Sequence, residues 1–582
     1  MNILGINAFH GDASACLVQN GKLIAAAEEE RFRRIKHWAG FPSEAIRYCL
    51  ETAGLSLSDV HHVAINQDSR AHRWKKLRYV LTARPDMQLV LNRLKNRKRR
   101  ASLEQLLEHA FPTVSFQGKK MSVEHHLAHL ASAFYVSPFR EAACVSIDGF
   151  GDFSSTAWGM GSDTQITEQG RVYFPHSLGI FYQALTQYLG FGNYGDEYKI
   201  MGLAPYGKPA YLAEMREIVH LTEKGTFKLN LAYFKHHQET VEYTWEGGEP
   251  KVGQLFDAQL ETLFGPARQK DEALTERHKD IARSVQAMYE EAFFHLLNHV
   301  HQKTGAEALT LAGGCAMNSV ANGKVYQHTP FKKVYVQAAA GDAGGAIGAA
   351  MVCWHQTPNA TRTSPISHAY WGPQSEEASV EALLNDQKPA LQTANCRVAE
   401  ITNEGLLCQQ VATAISEGKV VGWFQGRMEW GPRALGNRSI VCDPRRADMK
   451  DILNLKIKRR ESFRPFAPSI LREETKNWFE TDDDVPFMMQ VFQIREAKQQ
   501  WIPAVTHLDG SGRLQTVDKT DNPRYHRLIK AFFDMTGVPV VLNTSFNENE
   551  PIVCRLEEAL DCFLRTQMDM LVLGNWVIAR AQ

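Results

Sequence analysis

One local pattern occurs twice in the N-terminal part of this chain and limits what it can fold into: a short apolar strand, a turn built on Gly and Asp, then another strand. Residues 3–6 run into His10-Gly11-Asp12, after which residues 13–18 and 23–27 read as strands joined at Gln19-Asn20-Gly21, an Asn-Gly hairpin signal. The second copy runs from Cys144 through Asp148-Gly149-Phe150-Gly151-Asp152 to Thr156-Ala157-Trp158. Two such hairpins predict two related α/β lobes. Further on, Leu309-Thr310-Leu311 precedes Ala312-Gly313-Gly314-Cys315-Ala316-Met317-Asn318, and Val334-Tyr335-Val336 precedes a glycine-rich run from Gly341 to Ala350. Each reads as a strand entering glycines that open a helix, where backbone N–H groups and the helix dipole can meet a phosphate or ribose. Close helix packing is the other use of such glycines.

The chemistry is concentrated around His125-His126-Leu127-Ala128-His129. On a helix His125 and His129 share a face, so two imidazoles can hold one divalent metal, and His126 points elsewhere. Alone, the pair reads equally well as core or surface histidines. Asp148 follows the apolar run 142–147, a buried-strand pattern, and so stands just before a glycine-rich turn suited to phosphate. Metal ligands beside such a turn point to chemistry on a phosphorylated or adenylylated small molecule.

Composition narrows the partners. The chain has 582 residues, enough for two or more domains with full cores. Lys plus Arg and Asp plus Glu are 65 each, so no overall field draws it to nucleic acid or membrane, and small-molecule partners are expected. Its ten cysteines are scattered without Cys-x-x-Cys, which argues against a zinc ribbon or disulfide framework and for a reducing cytoplasm. No basic start with an apolar core and no run of membrane-spanning length is seen, so export and membrane insertion are disfavoured. Oligomeric state is not readable.

The stretch 355–373 is rich in Pro, Thr and Ser and reads as irregular, giving a domain at 1–360, a linker or crossover at 361–395 and a second domain at 396–582. In the second domain a helical pattern at 406–415 and a strand at 419–424 precede Glu429-Trp430-Gly431-Pro432-Arg433 and the segment 455–468, which holds Lys458 and Arg464. These cations alternate with Gly and Pro rather than with Glu on a helix face, which favours a polyphosphate site over a solvated face.

Taken together, His10-Gly11-Asp12-Ala13-Ser14-Ala15, Glu28-Glu29-Glu30-Arg31-Phe32 with Lys36-His37, His125 to His129, Asp148-Gly149 and Lys199-Ile200-Met201-Gly202-Leu203-Ala204-Pro205-Tyr206-Gly207 resemble the O-carbamoyltransferases of antibiotic, toxin and nodulation-factor biosynthesis, over nearly the whole chain. The resemblance implies a duplicated actin-like ATPase domain, similar to tRNA threonylcarbamoyl transferase, followed by an α/β YrdC-like domain. It implies ATP with Mg2+, carbamoyl phosphate as donor, and a hydroxyl of a sugar-containing small molecule or glycan as acceptor. His125, His129, Asp148 and Asp342 would be ligands of one iron, although two imidazoles and two carboxylates suit other divalent metals nearly as well. Asp148, Gly149, Phe150, Gly151 and Asp152 with Gly313, Gly314 and Asn318 would cradle carbamoyl adenylate, with Lys36 offsetting its charge. His10 would be the general base, although Gly11 is an insertion relative to some relatives. Arg433, Lys458, Arg464, Arg513 and Asn543 match ATP and carbamoyl phosphate positions, and the glycine common in relatives before Glu550-Pro551-Ile552 is absent.

One feature pulls elsewhere. Residues 93–100 hold six cations, and residues 70–78 are also basic. A tRNA-modification factor using the same adenylate chemistry is therefore the alternative, but the stretch 93–100 lacks an aromatic platform, and a solvated helix or a surface for an anionic glycan is the favoured reading of it. A sugar kinase of the actin-like class would leave the histidine pair and the second domain unexplained.

Overall fold

The computed structural model describes residues 1–83, 102–238, 241, 243–358, 360–363, 365–461 and 463–581. The basic run 93–100 lies outside them. The chain divides into two compact units, one of Met1–Ala321 with Val325–Ile366 and one of Asn322–Lys324 with residues from Ser367 onward. Both are mixed α/β. All ten cysteines are free thiols, and no helix among the described residues is long and apolar enough to cross a membrane.

The first unit repeats one sheet. Strands β1 (Asn2–Asn7), β2 (Ser14–Gln19) and β3 (Lys22–Glu28) form an antiparallel meander, and β4 (His62–Ile65) and β5 (Lys119–Ser122) add in parallel, giving the order β3-β2-β1-β4-β5. Strands β6 (Glu141–Gly151), β7 (Ser154–Ser162), β8 (Gln165–Tyr173), β9 (Ala308–Ala312) and β10 (Lys333–Val336) repeat order and polarity as β8-β7-β6-β9-β10. The two turn patterns are thus the first hairpins of two equivalent lobes. Asn20 and Gly21 take positive φ of 48° and 79°, the twist a tight hairpin needs.

Four helices of this unit matter below: α1 (Arg73–Ala83), α2 (His125–Phe134), α3 (Glu276–Thr304) and α4 (Gly345–His355). Helix α4 is buried from Gly345 through Cys353, and its glycines are there for close approach. A Cβ on Gly348 would lie 1.8 Å from the Ala128 carbonyl oxygen of α2, and one on Gly345 would lie 2.2 Å from the Asn66 side chain. Packing, rather than phosphate, accounts for these two glycines.

The second unit carries one eight-stranded sheet. Its strands are β11 (Cys396–Glu400), β12 (Val421–Phe424), β13 (Arg438–Cys442), β14 (Ala467–Leu471), β15 (Gln515–Val517), β16 (Val540–Ser545), β17 (Met570–Leu573) and β18 (Trp576–Arg580), in the order β11-β18-β17-β12-β13-β16-β14-β15. Helices α5 (Glu404–Ser416) and α6 (Pro523–Thr536) pack on each other. Between the units' main elements, the stretch expected to be a linker contains two helices, Glu377–Asp386 and Lys388–Thr393.

Candidate functional site

In the first unit, α2 begins where Glu124 accepts the Leu127 N–H at 2.8 Å, and this start sets His125 and His129 one turn apart on one face. Their Nε2 atoms lie 3.0 Å apart. Asp148 does not end its strand as expected. It occupies a bulge in β6, where the register with β7 shifts between Ile147 and Gly151, and this turns its carboxylate towards the histidines. Its Oδ2 is 3.0 Å from His125 Nε2 and 3.3 Å from His129 Nε2, while its Oδ1 accepts the Gly314 N–H at 2.9 Å.

Asp342 stands on the 3-10 turn Asp342–Gly344, which follows β10 of the same sheet as β6 and leads into α4. Its Oδ1 lies 3.6 Å from His125 Nε2 and 3.4 Å from His129 Nε2, and its Oδ2 lies 3.2 Å from His10 Nδ1. The four ligand-type atoms all lie within 4.8 Å of one another.

The donor set fits a divalent cation. Bonds of about 2.1 Å to nitrogen and oxygen imply ligand–ligand edges of roughly 3.0 Å in an octahedron and 3.4 Å in a tetrahedron. The observed separations of 3.0 to 3.6 Å bracket both. Charge points the same way. Burial opposes the His125 imidazolium, but Asp148 and Asp342 push its pKa up to about 10. Burial and Asp148 oppose charge on Asp342, yet its contacts to His10 and His129 hold it down at about 2. His126 is the bystander: it is buried, meets Ser146 Oγ at 2.9 Å and is pushed down to about 3 by burial and His125.

The surrounding loop residues divide by what they touch. Gly151 lies so close to His125 that a Cβ would sit 2.0 Å from the ring, whereas one on Gly149 would meet nothing within 4 Å. Gly151→Ala is therefore expected to displace His125 and lower metal content at least tenfold, with Gly149→Ala keeping it, as elemental analysis of the two purified variants would reveal. Asp152 accepts the backbone N–H groups of His125 at 3.0 Å and Asp68 at 2.7 Å, so it anchors the start of α2. Phe150 turns away into aromatic neighbours, 5.0 Å from Phe174 and 5.7 Å from His236.

Gly313 has φ of 88°, and a Cβ there would be 2.2 Å from the Ile147 carbonyl oxygen. Asn318 exchanges hydrogen bonds of 3.0 and 3.2 Å with Gln286 on α3, which hangs this loop from the helix. Gly11 fits under the Tyr194 ring, with His10 still on Asp342. Lys36 is exposed, beside His37, whose Nδ1 meets Asp12 Oδ1 at 2.8 Å; burial opposes the His37 charge, but Asp12 pushes it up to about 9. The Asp12–Glu30–His37 group does not stand out as a ligand set in the sequence, since only folding assembles it.

In the second unit burial first, and then the guanidinium groups of Arg433, Arg460 and Arg464, hold Arg513 well below its ordinary pKa. Arg460 does not stand out in the sequence, where it reads as one more cation of a run. All four arginines are half-buried, and like charges crowded in such a place are stable when a polyanion fills it. Asn543, 1% exposed, donates to the Ala434 carbonyl, Ser469 Oγ and Gln515 Oε1 at 3.0 to 3.1 Å.

Lys458 departs from the expected ligand-facing role. It is 1% exposed and donates to the Ser545 carbonyl at 2.5 Å, the Asn547 carbonyl at 2.8 Å and Asn547 Oδ1 at 2.7 Å, so its three donors are taken up by the segment after β16. Glu429 is another residue whose role the sequence does not signal. Its Oε1 accepts three backbone N–H groups, of Leu435, Asn437 and Arg438, and thereby folds the loop that carries Arg433. No residue from 547 to 551 takes positive φ, so the position before Glu550 does not call on the conformational freedom of glycine.

Two lobes around a buried imidazole–carboxylate group, and a second unit with converging arginines, define a two-unit α/β scaffold. The carbamoyltransferase N-terminus family matches residues 2–351 and the carbamoyltransferase C-terminus family matches residues 412–580. An uncharacterised protein of Synechocystis is 40% identical over 100% of this chain and 97% of its own, and the nodulation protein NolNO of Sinorhizobium fredii is 38% identical over 99% and 80%. The 3'-hydroxymethylcephem-O-carbamoyltransferase of Amycolatopsis lactamdurans is 36% identical over 46% of this chain and 48% of its own. The chain belongs to the carbamoyltransferase family, enzymes that transfer carbamoyl groups.

Proposed function

We propose that this chain forms carbamoyl adenylate from ATP and carbamoyl phosphate in its second unit, read as YrdC-like, and in its first unit, read as actin-like, passes the carbamoyl group to a hydroxyl of a sugar-containing small molecule or glycan. The observation that carries this reading is the convergence of His125, His129, Asp148 and Asp342 with His10 at the edge of the group. The acceptor class is drawn from the relative named for O-carbamoylation of a hydroxymethyl group.

In the second unit, Arg433, Arg464 and Arg513 bind and neutralise the phosphates of ATP, brought with Mg2+, and of carbamoyl phosphate. Carbamoyl phosphate is hydrolysed to carbamate, whose oxygen attacks the α-phosphorus of ATP and expels pyrophosphate. Lys458 acts as a positioning residue, holding the segment from Ser545 to Asn547 in place.

In the first unit, His125, His129, Asp148 and Asp342 would hold a divalent metal, iron by resemblance, which supplies positive charge to bind the adenylate phosphate. The open space around the Gly149 backbone leaves room beside Asp148, and Gly313 and Gly314 line the facing loop. His10 has Nδ1 against Asp342 Oδ2, so its Nε2 is the atom left to accept the acceptor hydroxyl proton as oxygen attacks the carbamoyl carbon and AMP leaves. His10→Asn is expected to slow transfer from supplied carbamoyl adenylate by about a hundredfold or more. Metal content and pyrophosphate release should not change; wild-type transfer by this variant would assign the proton to another group.

The reading as a whole is tested by mass spectrometry of products formed from ATP, carbamoyl phosphate and a panel of sugar acceptors. A carbamoylated acceptor with AMP and pyrophosphate supports it. Carbamoylation that proceeds without ATP would overturn it.

A further inference from the structure

Helix α1 is a surface element with an open outer face among the described residues. Its inner side packs next to the candidate centre: the Tyr79 ring lies 5.8 Å from Phe153 and 5.1 Å from Phe174, and Lys75 lies over the Tyr173 ring at 5.0 Å. Its outer side presents Trp74, Leu77 and Leu81, 83%, 49% and 68% exposed, at the i, i+3, i+7 spacing of one helical stripe. Apolar side chains this large are seldom left open together on a helix unless something covers them.

The charge around the stripe says what that partner is. Residues 69–83 contain five cations (Arg70, Arg73, Lys75, Lys76 and Arg78) and no acidic residue, in a chain whose overall charge is zero. A nucleic acid would be met by the cations but would leave the aliphatic leucines without a role, and a glycan would do the same. An anionic bilayer surface uses both features. Its headgroups attract the Lys and Arg, while Leu enters the acyl boundary and Trp sits at the headgroup level.

We propose that α1 docks this enzyme on anionic phospholipid membranes, lying in the interface with Trp74, Leu77 and Leu81 inserted. The packing of Tyr79 on Phe153, the residue after Asp152, means that the docked helix sits beside the loop of the candidate centre. An acceptor presented at a membrane surface would meet that loop without first diffusing through bulk solution.

The test uses the full chain and two kinds of vesicle: phosphatidylcholine alone, and phosphatidylcholine with an equal part of phosphatidylglycerol. Co-sedimentation should occur with the anionic vesicles and fall with added salt. The triple variant Trp74→Ser, Leu77→Ser, Leu81→Ser should bind them at least about tenfold more weakly while keeping wild-type transfer to a soluble acceptor. Circular dichroism of that variant separates loss of the stripe from loss of the fold, and if it fails to fold, the single change Leu81→Ser carries the test with a smaller loss. His129→Ala should still bind, so that failure of the transferase reading and failure of this one are distinguishable. No binding to anionic vesicles, equal binding by a folded stripe variant, or binding of RNA that the stripe variant loses while vesicles are ignored would each overturn the proposal.

Discussion

His129→Ala and Asp342→Ala are each expected to strip the first unit of metal and to abolish carbamoyl transfer, with pyrophosphate release from ATP and carbamoyl phosphate continuing. The two side chains supply half of the four-atom donor set, and their ligand atoms lie 3.4 Å apart. Loss of outer partners of a metal site alone costs about 10- to 100-fold in affinity, so loss of a direct ligand should exceed that range. Asp342→Ala should in addition release His10, because the same carboxylate meets that imidazole through its other oxygen. Elemental analysis, together with separate assays of the two half-reactions, reads both effects. Full metal occupancy in either folded variant would remove the centre from the proposal.

Arg513→Met should lose at least about a hundredfold in pyrophosphate release, the scale for removing one preorganised charge that faces a reacting phosphate. Transfer from supplied carbamoyl adenylate should persist. The same change should leave the ligand-free protein as stable as wild type or more so. Arg513 is crowded by Arg433, Arg460 and Arg464 and held well below its ordinary pKa, so methionine keeps most of the volume and removes a repelled charge. Thermal unfolding with and without ATP separates the two consequences: the stabilisation by ATP seen in wild type should shrink in the variant. If both half-reactions fell together in a folded variant, the division of labour between the units would be wrong.

Several local features are legible because the chain itself imposes them. The Asn20-Gly21 hairpin follows from the positive φ that these residues tolerate, and the facing of His125 and His129 follows from the helical period. The repeated strand–turn–strand pattern anticipates two sheets of one topology, since strand alternation and turn chemistry are properties of a few neighbouring residues. Asp148 reads as lying near a strand end, but the bulge that aims it at the histidines depends on how β6 pairs with β7.

What the sequence determined by itself, then, is the set of elements and the inventory of chemically capable side chains, because period, turn chemistry and residue type are local. Only the tertiary structure decided which of those side chains meet. Asp342 reaches the histidines because α4 packs on α2 at Gly348, so close that no side chain fits between them. Lys458 and Arg513 read alike as cations in sequence; folding surrounds one with four protein oxygens and the other with three arginines. Burial and the identity of distant neighbours set the energy of a charge, and neither is written in the residues beside it.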